Sequence, residues 1–176
     1  VIGGNFYIFT ANEGDSRDYD GFSEESRVED LTLDADAFAG INNDDNDLGR
    51  LKVTTVKGDI DSDGDYEALY TYGARSFTIW DSNGLAVFDS GDDVGLITAA
   101  VHGAAFNNDE DTNEGDTRSD AKGAEPEALA IGKVADRTYA FVGLERMGGV
   151  MVYDISNPFD VSFVDYFYNR GVVEDA

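Results

Sequence analysis

The sequence predicts an all-β protein, a partial β-propeller built of four-stranded meander blades with long acidic loops. Three observations lead there. Runs of β-branched and aromatic residues recur between clusters of Gly, Asp and Asn, which is the pattern of short strands and turns. Two stretches repeat the same order of four such runs. With 41% of residues hydrophobic and 12% aromatic, the chain has the material for a core and is not expected to be disordered, despite its charge.

In chain order, Asn5–Thr10 is the first strand, expected as the second strand of a unit whose own first strand is weak or missing. Residues 11–49 follow as a long acidic stretch interrupted by Phe22, Leu31 and Phe38, with a short helix expected over Glu29–Phe38. Arg50–Val56, Tyr66–Tyr72, Ser76–Asp81 and Leu85–Asp89 form one meander. A second irregular acidic stretch, Ser90–Pro126, carries Ile97 and Phe106. Glu127–Val134, Thr138–Leu144, Gly149–Ile155 and Val161–Phe167 form the other meander. The two match in detail. The second strand ends in Gly-Ala-Arg or Gly-Leu-Glu-Arg, and the third in Trp80-Asp81 or Tyr153-Asp154.

A repeated meander of roughly 40–50 residues is a propeller blade. A single domain over 1–176 is therefore expected: a partial blade plus loop at 1–49, a blade at 50–89, a loop at 90–126 and a blade at 127–168. A closed ring takes about 4–8 blades. The meanders thus belong to a larger ring, assemble with other copies, or close as a sandwich or barrel. The first residue is Val1 and not Met, which suggests a processed product or a piece of a longer chain.

Charge narrows the function. Lys and Arg number 12 against 37 Asp and Glu, a formal net charge of −25. Nucleic acids and anionic membrane surfaces need cationic partners, so neither is expected. No run of apolar residues is long enough to span a bilayer, so membrane insertion is not expected either. Acidity of this degree suits divalent cations, salty surroundings, or both. Cysteine is absent, which removes disulfides, thiolate catalysis and Cys-ligated zinc.

The sharpest motif is KGDIDSDGDYEALYTYG, Lys57–Gly73. Asp59, Asp61, Asp63, Gly64, Asp65 and Glu67 fall at positions 1, 3, 5, 6, 7 and 9 of an EF-hand-type loop. Alternate carboxylates around a Gly-permitted turn converge on one hard cation. Tyr70 stands where the bidentate Glu of an EF-hand belongs, and strands are expected on both sides. The stretch reads as a Ca²⁺-binding hairpin turn joining the first two strands of a blade, and a solvated acidic turn is the plainer alternative.

The opposite rim gathers the loops after each second strand: Asn12, Glu13, Asp15 and Arg17; then Arg75; then Glu145 and Arg146. The long second loop adds His102, Asp116, Arg118, Asp120, Lys122, Glu125 and Glu127. Carboxylates that hold a cation, beside guanidinium groups that clamp an anion, suit phosphoryl chemistry. Glu13, Arg17, Arg75, Glu145 and Arg146 are the candidate catalytic residues, with Asp15, Glu125 and Glu127 as candidate metal ligands. The same residue types also form structural ion-pair networks. The lone His102 and the absence of a G-x-S-x-G nucleophile turn argue against His-rich metal centres and serine hydrolases.

The chain resembles the choice-of-anchor I family of secreted bacterial propeller-like domains, related to a mesenchyme-specific surface glycoprotein. The resemblance lies in TANEGDSRDYDGFSEESRVEDL (Thr10–Leu31), LGRLKVTTVKGDIDSDGDYEALYTYGARSFTIWD (Leu48–Asp81), VFDSGDD (Val87–Asp93), RSDAKGAEPEALAIG (Arg118–Gly132), YAFVGLERMGGVMVYDISNP (Tyr139–Pro158) and NRG (Asn169–Gly171). One departure is Val94 after the Asp92-Asp93 pair, where the family pattern has Phe. The family domain is longer than this chain. The resemblance implies an exported, calcium-associated propeller at an extracellular, periplasmic or cell-surface location. Members are often labelled alkaline phosphatase.

Two functions are therefore expected to compete. One is a secreted or cell-surface calcium-binding module, non-catalytic in isolation, whose partners are divalent cations, a cell-surface or matrix component, or further blades and copies. The other is a metal (Ca)-dependent phosphoesterase acting on a phosphate-containing small molecule at the carboxylate-plus-Arg rim.

Overall fold

The computed structural model describes residues 1–109 and 111–171. The protein is mostly β, in small antiparallel sheets of which none closes on itself. The chain divides into two compact units. Among the described residues, one comprises residues 1–13, 74–109 and 111–171, the other residues 14–73.

The first unit holds two sheets. Strand β1 (Tyr7–Ala11) pairs with β6 (Phe77–Asp81), which pairs with β7 (Ala86–Asp89). Asp81 builds the β6–β7 turn by accepting the Asn83 and Leu85 amides on Oδ1, at 2.8 and 2.9 Å. The second sheet is a four-stranded meander of β8 (Pro126–Val134), β9 (Arg137–Leu144), β10 (Val150–Asp154) and β11 (Ser162–Phe167). It coincides closely with the four strands expected over residues 127–167. Gly148 and Gly149 turn the chain between β9 and β10 at φ +73° and +85°. A Cβ on Gly149 would lie 2.6 Å from the Phe167 carbonyl oxygen, so only glycine fits there.

The core of this unit lies where the sheets face each other. Phe77 and Ile79 from β6 meet Val142, Met151, Tyr153 and Ile155, all fully or almost fully buried. The Phe77 and Tyr153 rings stand 4.7 Å apart between centroids. Alternation along the strands explains the inward set. Ala140, Val142 and Leu144 of β9 point to one side, and Met151 and Tyr153 of β10 share that face through their pairing.

The second unit contains the hairpin of β2 (Asp18–Tyr19) and β3 (Phe22–Ser23), and the pair of β4 (Glu25–Arg27) with β5 (Lys52–Thr54). Its buried apolar side chains are Val28 and Val53.

Four expectations are corrected. The strand Asn5–Thr10 does not belong to a preceding blade: as β1 it joins the sheet of β6 and β7. With β1 on one side of β6 and β7 on the other, β6 has no edge left for Tyr66–Tyr72, which form no strand. Their alternating tyrosines serve as side-chain anchors instead, the Tyr66 and Tyr72 hydroxyls donating to the carbonyls of Thr55 and Glu24. Residues 50–89 are consequently not one four-stranded meander. The helix expected at Glu29–Phe38 is a 3-10 turn, Val28–Asp30, followed by turns over residues 35–40. The one α-helix among the described residues, α1 (Asp93–His102), lies inside the expected loop Ser90–Pro126. Val94, Ile97, Thr98 and Val101 have i, i+3, i+4, i+7 spacing. Val94 and Thr98 are buried and Ile97 packs on the core.

Candidate functional site

The Asp59 loop lies in the second unit and is closed at its base by backbone. The Gly58 carbonyl accepts the amides of both Glu67 and Ala68, at 2.9 and 3.2 Å. Gly58 sits at φ +117°, and a Cβ there would lie 2.2 Å from the Ala68 oxygen. A parallel bridge opposite Leu33 holds the exit of the loop: the Tyr66 amide donates to the Thr32 carbonyl at 3.0 Å, and its carbonyl accepts the Asp34 amide at 3.1 Å. Gly64 at φ +103° and Ser62 at φ +67° curl the tip. The curl turns carboxylates inward: Asp59, Asp61, Asp63 and Glu67 each offer an oxygen within 4.8 Å of the others. Asp65 is not in that group. Its Oδ1, like Oδ1 of Asp59, is buried and accepts no hydrogen bond.

Other oxygens of the loop are used internally. Asp59 Oδ2 accepts the Gly64 amide at 3.2 Å, Glu67 Oε2 the Ile60 amide at 2.6 Å and Asp63 Oδ1 the Asp65 amide at 3.1 Å. These bonds fix the carboxylates in place without supplying a counter-charge. The crowding shows in the acidities. The neighbouring Asp63 charge, with burial, raises the Asp61 carboxyl above the usual range. Burial, with Asp63 and Asp34, raises that of Asp65. Buried oxygens and several fixed carboxylates around one point suit a hard cation with 6–8 oxygen ligands.

A second constellation lies in the first unit and centres on Glu125, just before β8. Its side chain is fully buried. Arg118 donates to Oε1. Lys122 Nζ lies 3.4 Å from Oε2 and Arg146 Nε 3.3 Å from it. Lys122 also ion-pairs Glu13, at the end of β1, so one ammonium bridges two carboxylates. Arg146 Nε is 3.8 Å from Glu145 Oε2. Glu13, Glu125 and Glu145 bring one oxygen each within 4.8 Å. The backbone here is unusual: Arg75, Asn107, Asp116 and Glu125 all have positive φ, between +53° and +67°.

Burial raises the Glu125 carboxyl, but Arg118, the Glu145 hydrogen bond and Lys122 together outweigh it and hold the group below the usual range. Its partner in that hydrogen bond, Glu145, is raised, first by Glu125 and then by burial. Of the two, Glu145 is therefore the carboxyl that takes up a proton first as pH falls. Three cations of the chain already answer the buried charge. These ion pairs tie together the chain segments that carry Arg118, Lys122 and Arg146.

The other expected site residues are placed as follows. The Arg75 guanidinium donates to the carbonyls of Ser119 and Ala121, at 2.9 and 2.7 Å, which ties it to the segment before Glu125. Glu127 is exposed at the register shift that opens β8, and it raises Glu145 from a distance. Asp15 and Arg17 belong to the second unit. Asp15 is exposed, with Oδ1 accepting the Ser16 amide. Arg17 donates from Nε and Nη2 to the same Glu24 oxygen, Oε2, and lies over the Phe22 ring. His102 ends α1, with Nε2 3.2 Å from the Tyr166 hydroxyl. Burial, with Arg170, lowers its pKa.

Sequence reasoning missed the support of the Glu125 constellation. Arg170 donates to the carbonyls of Arg146 and Thr112 and to Asn108 and Asn113, and so fixes the loop that carries Arg146. Its only signal was the short NRG segment.

Comparison with known proteins decides the family. The model of the choice-of-anchor I domain matches residues 1–158. The chain belongs to the choice-of-anchor I family. Gigasin-3a of Magallana gigas is 34% identical over 130 residues, which cover 69% of this chain and 45% of that relative. The chain thus spans less than half the length of the curated relative it matches. No solved structure matches. Membership of the choice-of-anchor I family suggests a cell-surface or extracellular setting. No described helix is long and apolar enough to cross a membrane.

Proposed function

We propose that this choice-of-anchor I chain is a calcium-binding module of a cell-surface or extracellular protein, non-catalytic in itself, and that Asp59–Glu67 holds the Ca²⁺. The observation that carries the reading is the convergence of Asp59, Asp61, Asp63 and Glu67 beside buried, unbonded oxygens of Asp59 and Asp65. A solvated acidic turn has no reason to bury carboxylate oxygens without donors. In the same reading the four-stranded meander is a propeller blade and β1, β6 and β7 are most of a second, with further blades supplied by a longer chain or by other copies. The test is terbium luminescence, sensitised by nearby tyrosines and displaced by calcium. Saturable binding lost in Asp61→Asn supports the reading; equal binding in that variant overturns it.

A metal-dependent phosphoesterase is the second reading. It is favoured by the meeting of Glu13, Glu125 and Glu145 with Arg118, Lys122 and Arg146. It predicts calcium-activated hydrolysis of a chromogenic phosphomonoester, lost in Arg146→Ala. The self-neutralised state of Glu125 is the reason it stands second.

A further inference from the structure

We propose that residues 14–73 are an inserted module whose folding is switched on by a divalent cation, while the rest of the chain folds without it. The proposal rests on the calcium reading of Asp59–Glu67 and adds what the ion controls. The manner of insertion comes first. Asn12 donates its amide to the Ser76 carbonyl at 2.8 Å and accepts the Ala74 and Arg75 amides at 2.9 and 3.1 Å. Directly beyond these bonds β1 and β6 pair residue for residue, from Ala11↔Phe77 to Tyr7↔Asp81. The sheet thus continues as though the residues between were absent.

The module begins and ends side by side. A Cβ on Gly14 would lie 2.0 Å from the Gly73 nitrogen, so the two chain crossings touch. Both residues have positive φ, +72° and +65°, which glycine alone adopts without cost. Adjacent ends are what an inserted, separately folding segment requires.

The energetic argument is independent of that geometry. The core cluster of Phe77, Ile79, Val142, Met151, Tyr153 and Ile155 lies entirely in the first unit. Within residues 14–73 Val28 and Val53 are the fully buried apolar side chains, while Leu31, Leu33, Leu48, Leu51 and Leu69 stay partly exposed. A segment of about 60 residues with so small a core depends on disulfides, a metal or a partner. Cysteine is absent, so disulfides are excluded. The segment also carries 17 Asp and Glu against five Lys and Arg, which opposes compaction until a cation binds. A ligand held by one unit stabilises that unit's opening reaction and not that of its neighbour.

Peptide-resolved hydrogen exchange on the full chain, in excess calcium and in EGTA, tests this, with calorimetry of calcium binding run in parallel. In EGTA, amides in residues 24–29, 51–55 and 58–70 are expected to exchange about 100-fold faster or more. Those in β6, β9 and β10 are expected to stay within about twofold. The Asp59→Asn/Asp61→Asn variant is expected to show the EGTA pattern even in calcium. If calcium binds but protection changes evenly in both units, or in neither, this proposal is overturned and the calcium reading stands. If calorimetry detects no binding, both fall together.

Discussion

A buried carboxylate survives only if its charge is answered, and Glu125 is answered by Arg118, Lys122 and Arg146. Truncating it leaves those cations facing one another in a confined space. We expect Glu125→Ala to destabilise the first unit by about 3 kcal/mol, at the low end for broken buried pairs because the cations keep some solvent. Urea denaturation followed by Trp80 fluorescence reads that loss. In the second unit, the Arg17 hydrogen bond and the Arg17 amide pull the Glu24 carboxyl from 4.5 down to about 2. A depressed carboxyl stabilises the fold above its unfolded pKa. That contribution fades as pH falls through the window between 4.5 and about 2. In Arg17→Met, carbon NMR of Glu24 should show the titration midpoint moving back up, and the acid transition should lose its dependence on this window.

At the scale of elements, the turns decide as much as the strands. Gly149→Ala forces a positive φ on alanine and drives its Cβ toward the Phe167 carbonyl, so β10 and β11 must shift. The conformational cost alone is about 1–2 kcal/mol, readable as a lower melting temperature with little change in the denaturant slope. The strands of this sheet were legible because β9 alternates about a buried face and the strands are separated by turns that carry Gly, Asp or Asn. Helix α1 was hidden by composition. Val94, Ile97, Thr98 and Val101 are β-branched, and only their spacing spoke for a helix. Tyr66–Tyr72 misled in the other direction, since a run of alternating aromatics reads as a strand whether or not a sheet edge exists to receive it. The convergence of the Asp59 loop's carboxylates was legible because these residues are close together in sequence. The Glu125 constellation depends on residues from Glu13 to Arg170, and local spacing carries no signal for Lys122 bridging Glu13 and Glu125. Protons and calcium compete for the loop. Because Asp61 and Asp65 are raised, calcium affinity should begin to fall at a higher pH than for ordinary aspartates, which calorimetry at stepped pH measures.

For the whole molecule, a formal charge of −25 and a core confined to one unit frame the same account. The first unit has the apolar contacts to stand alone. The second buries only Val28 and Val53 among its apolar side chains, and on the proposed reading an ion at the Asp59 loop supplies the missing stability. Calcium at about 100 times its Kd adds about 2.7 kcal/mol to the unit that holds it. On a segment of this size, chelation should lower the first melting transition by on the order of 10 °C. High monovalent salt should only partly compensate, since screening does not replace a coordinated ion. The most direct measurement is calorimetric titration of the full chain with calcium, beside the Asp59→Asn/Asp61→Asn variant. The account predicts a saturable binding event in the parent chain that disappears in the variant. Equal heats in both, or none in the parent, would contradict it.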